Sequence, residues 1–158
     1  YLEIVKDRLY NSGNYSEEAV ESGRYTLYTS LLTILKLMAP IMPFITEEIF
    51  QTYFADKEKA KSIHISEWPE YDDKLNNENA EKIGELACYA VEAARQAKSE
   101  KKISLKEPIK KMILRGKVSK EDFKKIEKDI MATTKAKEIV YDELKKESKI
   151  DFENEIEL

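Results

Sequence analysis

The sequence predicts a mainly α protein: an antiparallel helical bundle over residues 1–102, then a small α+β appendage of β-α-β-β order over residues 103–158. Three observations carry this prediction. Apolar residues recur every three or four positions through most of the first hundred residues, which is the spacing of one helix face. Glycine and proline number four each in 158 residues, which favours long regular elements joined by short connections. After Lys102 the pattern changes to short apolar or alternating runs around a single capped helix, as expected of strands.

The elements follow in order. Residues 1–10 carry Tyr1, Leu2, Val5 and Leu9 at helical spacing. The pattern is already under way at Tyr1, with no initiator methionine, so the chain reads as a piece of a longer polypeptide that lacks an upstream helix of the bundle. Gly13 and two asparagines make residues 11–15 a turn. Ser16 is placed to cap the next helix, with Glu17, Glu18 and Glu21 at the positive end of its dipole. Leu27, Tyr28, Leu31, Ile34, Leu35 and Met38 form its expected buried stripe. That helix should end near Ala39, because the residue before a proline avoids helical angles, and Pro43 suits the first position of the following helix. The expected inner face of this second helix is Ile45, Ile49, Phe50, Tyr53 and Phe54.

Residues 55–75 read as an irregular crossing loop. The clearest helix runs from about residue 79 to 100, where Ile83, Leu86, Ala87, Ala90, Ala94 and Ala97 make a narrow seam that allows close approach of a neighbour. Beyond it, residues 108–115 read as a buried strand mixed with basic residues. A helix over residues 119–131 is capped by Ser119, and residues 136–141 and 150–158 alternate like strands.

Net charge is −4, which argues against a general nucleic-acid binder, but the charge is unevenly spread. Residues 95–117 hold nine Lys/Arg and two acids, flanked by acidic sequence on both sides. The ordinary reading is that Lys98, Lys101 and Lys102 complement the negative end of their helix, each worth about 0.3–1 kcal/mol. The alternative is a docking face for a polyanion. No apolar run approaches the roughly 20 residues that cross a bilayer, and one cysteine, Cys88, excludes an internal disulfide. A soluble protein of a reducing compartment, the cytoplasm, with no membrane partner is expected.

Catalytic chemistry is absent. There is no glycine-rich phosphate loop, no Gly-x-Ser-x-Gly and no His/Cys pair at metal-ligand spacing, so no catalytic, cofactor or metal residues are assigned. The lone His64 is expected to be a packed or hydrogen-bonded structural residue, and Cys88 a small, half-buried hydrophobe. Glu47 and Glu48, like Glu17 and Glu18, sit in first turns of helices, where capping and dipole effects account for them.

Residues 39–54, APIMPFITEEIFQTYF, followed by residues 62–70, SIHISEWPE, resemble the anticodon-binding domain of class I aminoacyl-tRNA synthetases of the valyl, isoleucyl and leucyl group. In that family a proline-rich turn, a Pro-Phe-x-x-Glu-Glu helix and a Ser-x-His-x-x-x-Trp-Pro segment occur in this order. YLEIVKDRLY at the start resembles the preceding helix. ARQAKSEKKISLKEPIKKMILRG, residues 94–116, is most similar to the valyl branch, with the isoleucyl branch next. The resemblance covers residues 1–116; residues 117–158 share only the layout of the small C-terminal subdomain.

The resemblance implies a non-catalytic part of a tRNA ligase, holding the anticodon arm of a tRNA, valine tRNA for the valyl branch. The catalytic domain of the same parent chain would use ATP and Mg; no cofactor is expected in this piece. Residues 98–104, KSEKKIS, resemble the KMSKS loop superficially but lack its pattern and follow the anticodon motifs, whereas the catalytic loop precedes them. The HIGH signature is absent. The RNA-binding candidates are Arg95, Lys98, Lys101 and Lys102 at one helix end, continued by Lys106, Lys110 and Lys111. Arg95 is the leading candidate for base stacking or a bidentate phosphate contact, and Tyr89 a weaker stacking candidate. Tyr25, Tyr28, Phe44, Phe50, Tyr53 and Phe54 are expected mainly in the core, while Arg8 and Arg24 either reach RNA or pair with nearby acids such as Glu21. A helical protein-interaction module without RNA contact is the alternative of a different class, its basic segment docking an acidic partner.

Overall fold

The computed structural model describes residues 1–144 and 152–158, and they form two compact units: residues 12–75, and residues 1–11 together with 76–158. The expected boundary near residue 102 does not coincide with this division, because the helix ending there packs with the sheet. The mainly helical class with a small sheet is as expected.

Helix α1 spans Leu2–Tyr10; in residues 12–75 the first helix is α2, Glu17–Met38, with Ser16 Oγ accepting from the Ala19 N–H. Ala39 keeps helical angles (φ −54°, ψ −40°), so the helix does not stop by the route expected from the Ala39–Pro40 bond. It stops because Pro40 has no N–H to continue the ladder, and Ile41 and Met42 both turn back onto the Met38 carbonyl. Met42, before Pro43, is the residue that leaves helical space (φ −127°, ψ 63°), and α3, Pro43–Tyr53, begins with Pro43 in its first turn. A short α4, Ala55–Glu58, ends on Lys59 in the left-handed region. The crossing segment carries single 3₁₀ turns at Ile63–Ile65 and Asp73–Leu75.

The core of this unit is Leu35, Ala39, Phe50, Phe54 and Ile63, edged by Tyr28, Leu32 and Ile49. Only part of the two expected stripes is therefore covered. Leu31, Ile34, Ile45 and Tyr53 are exposed, as are Tyr25 and Phe44, the last at 90%. Helical spacing marks which residues share a face; it does not say that another element lies against that face.

The Glu-Glu and Ser-x-His motifs meet here. Glu47 accepts from Ser62 Oγ (2.9 Å), the Ile63 N–H (3.0 Å) and Gln51 Nε2 (2.7 Å). Burial pushes its carboxyl up, but the hydrogen bonds from Gln51, Ser62 and Ile63, with His64 nearby, outweigh this and hold it below the usual carboxylate range. His64 lies 3.3 Å from the Pro43 carbonyl, the structural role expected of it. The motif is a clamp that fixes the crossing segment to the first turns of α3.

In the other unit, α1 (Leu2–Tyr10), α5 (Glu78–Glu100) and α6 (Lys120–Thr134) pack with a three-stranded sheet of β1 (Lys111–Gly116), β2 (Ile139–Glu143) and β3 (Phe152–Glu157). Its order is β2-β1-β3, with β1 parallel to β2 and antiparallel to β3. The expected β-α-β-β order is present; residues 150 and 151 of the third expected strand lie outside the described residues. Asn77 caps α5 and Ser119 caps α6, each side-chain oxygen accepting from the first-turn N–H groups. Asp122, in the first turn of α6, is held down to about 2 by Lys125, Asn79 and Ser119.

Leu86, Ala87, Ala90 and Ala94 of α5 join Ile109, Met112, Leu114, Phe123 and Ile130 in one core, so the alanine seam is buried as expected. Cys88, on the same helix, is exposed rather than half-buried. Alternation in β1 buries Met112, Leu114 and Gly116 and turns Arg115 outward to Glu153 and Glu155 of β3. At Gly116 a Cβ would come within 3.1 Å of the Tyr141 hydroxyl and 3.3 Å of Leu86 and Phe152, tighter than ordinary contact, so these three side chains would have to give by a few tenths of an ångström to admit one.

Candidate nucleic-acid interface

The end of α5 decides where the basic segment points. Lys102 adopts φ 56°; its N–H bonds to the Ser99 carbonyl (3.0 Å), and the Ile103 N–H bonds to the Lys98 carbonyl (3.0 Å). This is a Schellman ending with lysine where glycine is usual. A left-handed non-glycine residue costs about 1–2 kcal/mol. The turn leads the chain away from the helix axis into residues 103–110, which return to β1.

The candidates therefore separate. Arg95 is exposed and makes no hydrogen bond or ion pair with any described residue. Lys101, Lys102, Lys106 and Lys110 are also exposed. Lys111 is half-buried and lies 3.3 Å from Glu138. Lys101, Lys110 and Lys111 share a shallow groove with Glu155 and Glu157 of β3, so part of their charge is opposed locally.

Lys98 corrects the sequence reading. It is 2% exposed, and its ammonium donates to the Leu105 carbonyl (2.9 Å) and the Thr134 carbonyl (2.8 Å). It ties the loop after α5 to the end of α6 and is not on the outer surface with Arg95, Lys101 and Lys102. Burial is the main cause that lowers its pKa; Glu107 opposes this and Lys135 adds to it. Lys98→Met keeps most of the apolar stem but strips the buried Thr134 carbonyl and the part-buried Leu105 carbonyl of their donor. A loss of about 2–4 kcal/mol in urea-induced unfolding is expected, since an unsatisfied buried group costs about 1–3 kcal/mol. A loss below about 0.5 kcal/mol would mean that water replaces the ammonium without cost.

Tyr89 is likewise committed inside the unit. Its hydroxyl accepts from Asn154 Nδ2 (2.6 Å), and its ring stacks on Phe152 at 5.3 Å, which occupies one face. Arg8 reaches no surface site: it pairs with the buried Asp129 of α6. Arg24 pairs with Glu21, as the sequence suggested.

Sequence reasoning missed Lys6 of α1 and Lys135 at the end of α6, which share a hollow with Arg95 and Lys98. Local charge counting hid Lys135 within an acidic stretch. The available signal was its place directly after an amphipathic helix. Like Lys102, it is a left-handed helix terminus (φ 61°). Among the described residues no cluster of three or more His, Cys, Asp or Glu could hold a metal, and no helix is long and apolar enough to cross a membrane.

Comparison with known proteins gives this surface its context. Residues 1–113 match the family described as the anticodon-binding domain of tRNA ligase, and the chain belongs to that family. Within it, the relatives point to one branch. The chain is 40% identical to the valine--tRNA ligase of Thermococcus kodakarensis over 133 residues, 84% of this chain and 15% of that protein. It is 39% identical to the valine--tRNA ligase of Pyrococcus furiosus over 152 residues, 95% of this chain and 17% of that protein. An isoleucine--tRNA ligase, that of Thermococcus kodakarensis, is 29% identical over 149 residues, 93% of this chain and 14% of that protein. The chain thus spans about one sixth of the length of these relatives.

Proposed function

We propose that the chain binds the anticodon arm of valine tRNA, as one domain of a cytoplasmic enzyme that joins valine to its tRNA. The observation that carries this reading is the anticodon-binding family match over residues 1–113, with valine--tRNA ligases among the relatives near 40% identity. The surface chemistry agrees: Arg95, Lys101, Lys102, Lys106 and Lys110 are exposed around the end of α5 and its following loop. Lysines clamp the backbone as point charges, and the planar fork of Arg95 suits a phosphate or the face of an unstacked base. The ATP and Mg of the reaction would be handled by a catalytic domain elsewhere in the parent chain. The exposed apolar residues Leu31, Ile34, Ile41 and Phe44 of the other unit fit burial against such a neighbouring domain better than contact with RNA.

Titration of the labelled protein with a valine-tRNA anticodon arm at low salt is expected to shift backbone NMR signals of residues 95–111. Lys101→Glu combined with Lys102→Glu is expected to weaken binding about tenfold or more. It should also flatten the salt dependence, since each lost phosphate contact removes about 0.7–0.9 from the slope. Saturating RNA that moves no signal in residues 95–111 would refute direct contact. The protein-interaction reading would then stand.

A further inference from the structure

The hollow enclosed by α1, the second half of α5 and the end of α6 has a cavity volume of about 210 Å³. At about 30 Å³ per water, that is the space of roughly seven waters. Four cations line it, Lys6, Arg95, Lys98 and Lys135, against one carboxylate, Glu3. Glu3 is already engaged by Lys6 at 2.7 Å, an interaction that, with Arg95 nearby, holds its carboxyl below the usual range despite some burial. Among the described residues Arg95, Lys98 and Lys135 are left without an ion pair.

Lys98 is the most informative of them. Its buried ammonium has three donors, and the structure accounts for two, both spent on neutral carbonyls. No carboxylate lies within 4.0 Å of it among the described residues. A buried charge is ordinarily compensated by an opposite one, because taking an ion out of water is costly. Among the described residues Glu107 opposes the burial only from beyond ion-pair distance, while the exposed guanidinium of Arg95 stands at the same hollow without a hydrogen bond or ion pair to a described residue.

We infer that this hollow is a phosphate-binding pocket, in which Lys6, Arg95, Lys98 and Lys135 together hold one backbone phosphate of bound RNA. The inference rests on the RNA-binding reading above and adds to it a specific seat. Lys98 supplies a fixed, buried donor whose hydrogen bond to a phosphate oxygen would be charge-assisted. Arg95 presents a two-pronged contact, and Lys6 and Lys135 close the rim. Lys6 and Lys135 lie outside residues 95–111, so this seat is separable from the lysines of the loop.

The test uses the whole 158-residue chain, labelled for NMR. The signals read are the Arg95 Nε–H and the backbone amides of Thr133, Thr134 and Lys135. The valine-tRNA anticodon arm is expected to shift them saturably. In the double variant Lys6→Gln, Lys135→Gln, whose two side chains are exposed, the shifts should disappear, with RNA affinity falling about tenfold and the salt slope falling by about 0.7–0.9. Unchanged shifts elsewhere and an unchanged urea midpoint show that the variant is folded. If RNA moves residues 101–111 but leaves Arg95 Nε–H and residues 133–135 unmoved, the pocket is refuted and the RNA-binding reading stands. If RNA moves nothing while inorganic phosphate at constant ionic strength shifts the pocket signals, the site takes free phosphate and the RNA assignment of both proposals is overturned. If neither moves any signal, both fail.

Discussion

Replacing Asp129 by alanine is expected to destabilise the unit formed by residues 1–11 and 76–158 by about 3–5 kcal/mol, measured from the urea midpoint of its unfolding. Asp129 is 1% exposed, in the middle of α6, and its carboxylate receives both prongs of the Arg8 guanidinium, with Nε to Oδ1 at 2.7 Å and Nη2 to Oδ2. Truncation strips Arg8, itself largely covered, of both hydrogen bonds to that carboxylate. That is the expensive way to break a buried pair. Removing both charges is expected to be much cheaper: Arg8→Met with Asp129→Leu should recover most of the loss, because the pair repays its own desolvation only in part. A loss below about 1 kcal/mol for Asp129→Ala would show that water reaches Arg8. The pair also fastens α1 to α6: one turn on, the Thr133 hydroxyl, which donates to the Asp129 carbonyl (2.8 Å), lies 3.3 Å from the Glu3 carbonyl, and Val5 is buried.

In the unit of residues 12–75, Phe50→Ala is expected to cost about 3–5 kcal/mol, the range for deleting a fully buried aromatic and leaving a cavity. Phe50 is 0% exposed and packs with Leu35, Ala39, Phe54 and Ile63, its ring stacked on Phe54 at 6.3 Å. Phe44 stands on the same helix, six residues earlier, at 90% exposure. Phe44→Ser is therefore expected to change stability by no more than about 0.5 kcal/mol. Equal losses at the two positions, read from urea midpoints of the single variants, would contradict the placement of α3.

Much of this fold could be read along the chain because its causes are local. Ser16, Asn77 and Ser119 stand before runs of helical periodicity, and two of these three caps, Ser16 and Ser119, are identifiable from spacing alone. Pro43 opens a helix because a ring-locked φ and a missing N–H cost nothing there. The alternation of residues 111–116 could be seen, and its buried half lies on the α5 seam. The candidate site was less legible. Its basic residues could be counted, but their directions were not assigned: Lys98, four residues after Ala94, continues the buried seam of α5, and Lys102 lies in the turn beyond it, whose course is set by distant packing.

What the sequence by itself determined is the set of elements, their order, the family and the region where positive charge gathers. These depend on neighbours within a turn or a strand. Tertiary structure alone decided which faces are covered, so that Leu31 and Ile34 lie exposed while Leu35 is buried. It also decided that Arg8 serves the core through Asp129, that Lys98 turns inward, and that Lys6 and Lys135 come to stand beside Arg95. The physical reason is that burial and charge pairing are set by groups distant in sequence. Arg8 and Asp129 are 121 residues apart, and no local pattern records that they meet.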